Sequence, residues 1–348
     1  MADARRRAEE LRRAARARNK GTQADLARTY REAYDRIRAR LDDLTEQIAR
    51  ARSAGEQVDQ SWLLRQWRLR TLEGQVLDEM RLWSDGAARR ITDEQVQAIA
   101  HGRADAAELI GVQMGPAPTP AAAAAFAPQL PRGALEALAG RMSDGTPIAD
   151  YMARTIGPAT WEGVRGALIE GVALGLNPRE IARAAARSTG LPLARALVIA
   201  RTETINAYRE AARQTYAANP RTVTAWMWQA TLDRRTCAVC WASHGEVHPP
   251  DEMLSSHPSC RCTMLPVTRT WAELGFPGVP ETQATLEPGE DIFRRQSAEV
   301  QREVLGPGKF DAWHEGDFAL RDLIVHTTHP VFGAGRRERA LRELVTTQ

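Results

Sequence analysis

Residues 22–48 read TQADLARTYREAYDRIRARLDDLTEQI. Leu26, Tyr30, Ala33, Ile37, Leu41, Leu44 and Ile48 recur there at steps of three and four, which puts them on one face of a helix. The face resembles a short coiled-coil seam with charges on the other positions. Gly55 ends it. A second stripe, Trp62, Leu69, Val76, Met80 and Trp83, predicts a helix over about 58–83, joined to the first by a loop around 53–57. Thr92 followed by Gln95 reads as a capping box that opens a third helix toward Val112. This hairpin offers more apolar surface than it can bury alone. Either a partner protein or a second copy covers it, or the chain's own helices between 133 and 216 do.

The rest of the chain has an ordinary globular balance. It has 348 residues, 26% of them charged and 43% apolar, which excludes a wholly disordered or collagen-like chain. A run of about 18 apolar residues is absent, so no membrane-spanning helix is expected. The first twenty residues carry seven Arg and one Lys and no apolar stretch, so a secretory signal is not expected either. The net charge is only +3, so the molecule as a whole is not a polyanion-binding block.

Composition shifts at Gly115–Pro131, where five prolines surround five consecutive alanines. This stretch reads as a linker. Helical signals resume near Gly133. Pro158 is placed to open a helix through Val172 that Gly175 closes. Asn177-Pro178 starts another, and Leu193 to Tyr216 reads as a long one stopped by Asn219-Pro220. From Thr222 the period changes: Val223, Ala225 and Met227 alternate with Thr224, Trp226 and Trp228, which predicts a strand. Short helices are expected over 292–304 and 317–325, and the Arg-containing segment 333–348 reads as an exposed helical tail. The expected fold is therefore mainly α with a small β-containing, zinc-stabilised subdomain.

All four cysteines lie between 237 and 262. Cys237-Ala-Val-Cys240 is followed by His257-Pro-Ser-Cys260-Arg-Cys262. A Cys-x-x-Cys turn presents two thiolates from one tight loop, and His257-x-x-Cys260 has the same spacing. Zinc asks for four such ligands at tetrahedral corners, so Cys237, Cys240, His257, Cys260 and Cys262 are five candidates for a closed, structural site. Which four bind stays open; free buried thiols or a disulfide are the alternatives. His244 and His248 are expected to face solvent or be satisfied in the core. Asp233, Glu246, Asp251 and Glu252 are nearby carboxylates without a reason to act as bases. Arg201-Thr202-Glu203 lies on the long helix, where Arg201 and Glu203 do not face each other and are expected to pair with another segment, such as Asp233 or Arg234. Thr236 reads as a cap of the turn. Near the start, Arg5, Arg12 and Arg16 form one helical stripe and Arg6 and Arg13 another. These stripes could meet duplex DNA through phosphates or be solvated faces.

Taken in order, the motifs resemble a known family. Gly171-Val-Ala-Leu-Gly175-Leu-Asn-Pro-Arg-Glu-Ile-Ala182 precedes Ala200-Arg-Thr-Glu-Thr-Ile-Asn-Ala-Tyr208, Trp226-Met-Trp228, Leu232-Asp-Arg-Arg-Thr-Cys237-Ala-Val-Cys240 and His257-Pro-Ser-Cys260-Arg-Cys262. This order resembles the phage head morphogenesis domain, the Mu F-like minor capsid proteins of tailed phages, over about 155–325. The segment Phe293 to Gly306, with Trp313, Gly316 and Asp322 to Val325, resembles the family's C-terminal part. Periodicity and composition mark a helical region at 1–114, a linker at 115–131 and a basic tail at 326–348, and the resemblance makes 132–325 the head morphogenesis domain. It implies a non-enzymatic minor capsid protein, present in few copies inside the head near the portal, assembled in the bacterial host cytoplasm, and assisting head assembly and DNA packaging or ejection. Its implied partners are the portal protein and the major capsid or scaffold protein; non-specific duplex DNA contact through Arg5, Arg6, Arg12 and Arg13 rests on the basic run alone. It implies zinc at the cysteine cluster, with Arg201, Thr202, Glu203 and Asp233 as structural organisers. The rival reading is a zinc-stabilised DNA-binding protein or nuclease; that site needs a free general-base His, and His257 is expected to be consumed as a ligand. ADP-ribosyl transfer is a third reading, suggested by Arg-Thr-Glu and by enzyme domains fused to some members of the family; three residues on a helix do not establish a pocket.

Overall fold

A computed structural model describes residues 4–131 and 139–345. The chain is mainly α with two small antiparallel sheets. Its contacts divide it into two compact units: Asn19–Glu94 with Gly140–Arg201, and the segments up to Arg18, Gln95–Ala139 and from Thr202 onward. The helical signal near Gly133 lies outside the described residues.

The first unit is helical. It takes in most of α1 (Ala4–Ser53), α2 (Gln60–Arg65), the first part of α3 (Trp67–Met114), α5 (Ile148–Ala173), α6 (Pro178–Ser188) and the start of α7 (Gly190–Ala217). The seam Leu26 to Ile48 is buried within this unit, every member at 3% exposure or less. Tyr30 shows what covers it. Its ring meets Trp83 edge-on at 4.9 Å, and its hydroxyl donates to the Thr189 carbonyl at 3.0 Å. The chain's own helices thus cover the seam, and it needs no partner protein. Helix α6 opens on a complete capping box, Asn177 with Glu180, and carries Pro178 in its first turn. Its approach to α5 requires a glycine: a Cβ on Gly171 would lie 2.4 Å from the Ile181 side chain.

Two helix boundaries differ from the sequence expectation for one physical reason. Pro158 lies inside α5 rather than at its start. Ile148, Met152, Ile156, Thr160, Val164, Leu168 and Val172 form one buried stripe through it. Burying that stripe outweighs the cost of about 3 kcal/mol for an internal proline. Thr92 likewise lies inside α3, where its hydroxyl turns back to the Ala88 carbonyl instead of capping a new helix. Buried Ala87, Ala88 and Ile91 carry the apolar face past it.

The second unit is built around the sheet β2-β1-β3, with β1 at Val223–Gln229, β2 at Val247–His248 and β3 at Thr263–Thr268. Trp226 pairs with Pro266 and Trp228 with Met264. Pro266 is tolerated because β3 is an edge strand. The expected strand is therefore present, but Trp226, Met227 and Trp228 are all buried, so its two faces do not divide into wet and dry. The Pro/Ala stretch is not an open linker throughout. Thr119 caps a short helix, α4 (Pro120–Ala125), and Phe126 packs edge-on against Trp271 and Phe276.

Beyond β3 come α9 (Gly289–Arg294), α10 (Ala298–Leu305) and α11 (Pro307–Glu315), where one helix over 292–304 was expected. They enclose a core of Trp241, Phe293, Phe310, Trp313, Leu320 and Leu323. Residues 320–323 form a single 3-10 turn in place of the helix expected over 317–325. The expected helical tail is instead a hairpin of β4 (Ile324–His329) and β5 (Gly333–Glu338), followed by the short α12 (Leu341–Val345). Gly333, at φ +70°, turns the chain there, and Gly335 packs where a Cβ would lie 2.6 Å from the Ser256 carbonyl. That close fit ties the hairpin to the loop before His257.

Candidate metal centre

The thiols are delivered by two turns, each held from outside. After β1, the turn Asp233–Thr236 closes on itself: the Thr236 N–H donates to the Asp233 carbonyl at 2.8 Å, and the Asp233 N–H donates to the Thr236 hydroxyl at 3.1 Å. Cys237 then sits at the start of the six-residue α8 (Ala238–Ser243), which carries Cys240 in its first turn. The second turn is His257-Pro-Ser-Cys260. It closes with the Cys260 N–H on the His257 carbonyl and takes Ser259 through φ +60°. A non-glycine residue in that region needs support. The Thr202 hydroxyl supplies it by accepting the Ser259 N–H at 3.0 Å.

The five side chains gather as the spacing required. Cys237, Cys240 and His257 form one group and Cys240, Cys260 and Cys262 another, with the ligand atoms of each group within 4.8 Å of one another. Cys240 belongs to both. His257 Nε2 lies 3.2 Å from Cys237 Sγ and 3.4 Å from Cys240 Sγ, and Cys240 Sγ lies 3.8 Å from Cys260 Sγ. A tetrahedral zinc with bonds of about 2.0–2.3 Å puts sulfur and nitrogen ligands roughly 3.5–3.8 Å apart. His257 Nδ1 lies 2.9 Å from the Pro258 carbonyl, a contact that fixes Nε2 as the face turned to the thiols. The Cys262 N–H lies 3.4 Å from Cys260 Sγ and supports it as a thiolate. These residues fit a metal ion.

The charge distribution fits one too. Hydrogen bonding with Cys240 and His257 brings Cys237 down to about 5 against the opposing effect of burial. Burial disfavours charge on His257, yet the neighbouring Cys237 and Cys260 push it up to about 11. Burial opposes ionisation of Cys260 as well, and hydrogen bonds from Cys240 and Cys262 with the charge of Arg209 bring it down. Cys240 goes up, chiefly through its hydrogen bonds with Cys237, Cys260 and Cys262, and burial sends Cys262 up. Zinc asks for deprotonated thiols, and Cys237 and Cys260 are shifted in that direction.

Two arginines organise the cluster. Arg261, between Cys260 and Cys262, makes a two-pronged bond to the carboxylate of Asp233. Arg209 of α7 is buried and donates to the carbonyls of both Cys260, at 3.3 Å, and Cys262, at 2.7 Å. Sequence reasoning missed Arg209. Its signal was its place two turns after Thr202 on the same helical face. Arg201 donates to Gln23 rather than meeting Asp233, and Arg234 pairs with Glu299 and Glu303. Helix direction sends Arg201 to the helical unit and Thr202 to the metal loop.

His244 is buried, and its Nδ1 accepts the Ala230 N–H at 3.0 Å. His248 stacks on Trp226 at 4.3 Å with a carboxylate at each nitrogen, Glu252 and Glu246. Neither histidine belongs to the cluster. Glu246 also binds Arg336 of β5, which lies over the Trp228 ring at 4.6 Å. That contact from the C-terminal hairpin had no signal in the sequence. Hairpin and metal loop together line a groove of about 450 Å³ that includes Cys237, His257, His329 and Phe332.

Residues 162–265 match the family model for phage Mu protein F like proteins. This segment is similar to the phage Mu protein F like family. The match covers less than a third of the chain, from within α5 to β3. It includes α6, α7, α8 and all five candidate ligands, in agreement with the head morphogenesis resemblance of the motif order. No curated protein and no solved structure matches the chain. Among the described residues, no helix is long and apolar enough to cross a membrane.

Proposed function

We propose that this protein is a minor component of a tailed-phage head, positioned near the portal, and that its Mu F-like domain is held by one structural zinc ion. The observation that carries the reading is the coincidence of the family match with the cysteine cluster and the residues that organise it. Cys237, Cys240, His257 and Cys260 are the proposed ligands. Cys262 backs them through its N–H, and Arg209 anchors its carbonyl. Four protein ligands leave no position for a reacting water, so the metal joins the two turns rather than acting as a catalyst. This supports a structural role in head assembly over hydrolysis of DNA.

The portal protein and the major capsid or scaffold protein are the proposed partners, and the virion interior, reached by assembly in the host cytoplasm, the proposed location. The surface that meets them is not the Leu26–Ile48 seam, which is already buried. DNA contact through the first helix finds little support. Arg12 is buried against the Ala230 carbonyl, Arg6 and Arg7 pair with Glu10, Arg7 also reaches Glu108, and Arg13 pairs with Glu9. Co-expression with portal, scaffold and major capsid protein tests the reading. The full chain should sediment with procapsids and the Cys240→Ser variant should not. Procapsids that form with the full chain excluded would overturn it.

A further inference from the structure

The basic surface best suited to a polyanion lies elsewhere, in the helical unit. Helix α6 carries Arg179, Arg183 and Arg187 at intervals of four residues, all exposed. A step of four residues advances about 6 Å along a helix. Tyr34 and Arg38 on α1 face the same place, and together with Arg179 and Arg183 they line a groove of about 520 Å³. Its floor is small: Pro178, Ala182 and Ala186.

Several arginines on α1 and α3 of this unit are held in ion pairs. Arg28 pairs with Asp25 and Glu32, Arg36 with Glu79, Arg68 with Asp43 and Arg90 with Asp25. No described residue forms an ion pair with Arg38, Arg179, Arg183 or Arg187. Asp42 is the acidic side chain in the groove lining, so three guanidinium groups face one carboxylate. Burial pushes Tyr34 up to about 12, so the phenol adds no negative charge.

We propose that this groove binds the phosphodiester backbone of duplex DNA. Regularly spaced arginines match a regularly charged strand, and a guanidinium fork suits a phosphate. The floor of alanine and proline lets a thick backbone approach. A protein partner would call for a large apolar or aromatic anchor at the centre, and the only aromatic in the lining is the partly buried Tyr34. Nothing in the groove is arranged to read base edges, so binding is independent of sequence. The inference stands apart from the head assignment, since it rests on charge and spacing in the other unit.

The test is fluorescence anisotropy of a labelled mixed-sequence 30-base-pair duplex with the full chain, between 50 and 300 mM salt. Each phosphate contact contributes about 0.9 to the slope of log affinity against log salt. The combined Arg38→Gln, Arg179→Gln and Arg183→Gln variant should lower that slope by about 2–3 and weaken binding at least about tenfold at low salt. The corresponding three lysine substitutions should keep the slope. Arg6→Gln with Arg13→Gln should leave it unchanged. Thermal unfolding checks that each variant is folded. A folded glutamine variant with the parent's slope overturns the proposal. So does a parent that does not bind at 50 mM salt, or one from which polyglutamate displaces DNA as readily as unlabelled duplex does.

Discussion

Asp233 and Arg261 grip each other through both carboxylate oxygens, across 28 residues of chain. The first lies in the turn that delivers Cys237 and Cys240, the second between Cys260 and Cys262. The pair therefore joins the two halves of the cluster without itself being a ligand. Arg261 is the main reason that Asp233 is held down to about 2, with burial opposing and Thr236 assisting. Asp233→Asn should keep the turn's hydrogen bonds but lose the charge, and should weaken zinc retention about tenfold. Competition with a chromophoric chelator at pH 7 reads this directly.

Zinc itself is the next expectation. Protein purified without added metal should contain about one zinc per chain by elemental analysis. Cys240→Ser should abolish it, because Cys240 is common to both ligand groups. Cys262→Ser should keep most of it. Chelation should unfold 222–268 locally while the helical signal in circular dichroism largely survives. A metal content below about a tenth of an equivalent with the fold intact would defeat the zinc assignment.

His244 makes stability depend on pH. Burial, reinforced by the charges of Arg12 and Arg5, brings it down to about 4 from an ordinary 6.5. Between those values the unfolded chain binds a proton that the folded chain refuses. The contribution is complete above about pH 6.5 and is lost as pH falls toward 4. From pH 7 to pH 5 the loss should be about 2 kcal/mol. His244→Asn can still accept the Ala230 N–H but does not titrate there. Denaturant titrations at the two pH values should show the slope in the parent and not in the variant.

The helical unit should depend on its seam. Ile37 is fully buried, so Ile37→Ala should cost about 2–5 kcal/mol. Gly171→Val should cost more than Gly166→Ala, because a side chain at 171 meets Ile181 whereas Gly166 faces open space. Removing residues 1–114 should leave an unfolded or aggregated chain, since α1 and α3 supply cores in both units. Sedimentation of the truncated chain checks this.

Local chemistry was legible from the sequence wherever it repeats or lies close together. The three-four spacing of Leu26 to Ile48 marks a buried helical face because a helix returns to one side every 3.6 residues. Asn177 and Glu180 spell a helix start because their side chains accept its free N–H groups, and Pro178 because it brings no N–H that needs a partner. Cys237, Cys240, His257 and Cys260 announce a cluster because two short turns present their side chains at ligand spacing. Burial and long-range pairing were decided only in three dimensions. The continuous face through Thr92 and Pro158 overrode local stop and start signals, since burying many apolar groups outweighs one weak cap or one proline. Arg209, Arg261 and Arg336 look alike in a chain with 45 arginines. The tertiary structure separates them by what each one meets: two carbonyls, a carboxylate, and a carboxylate together with the face of a tryptophan.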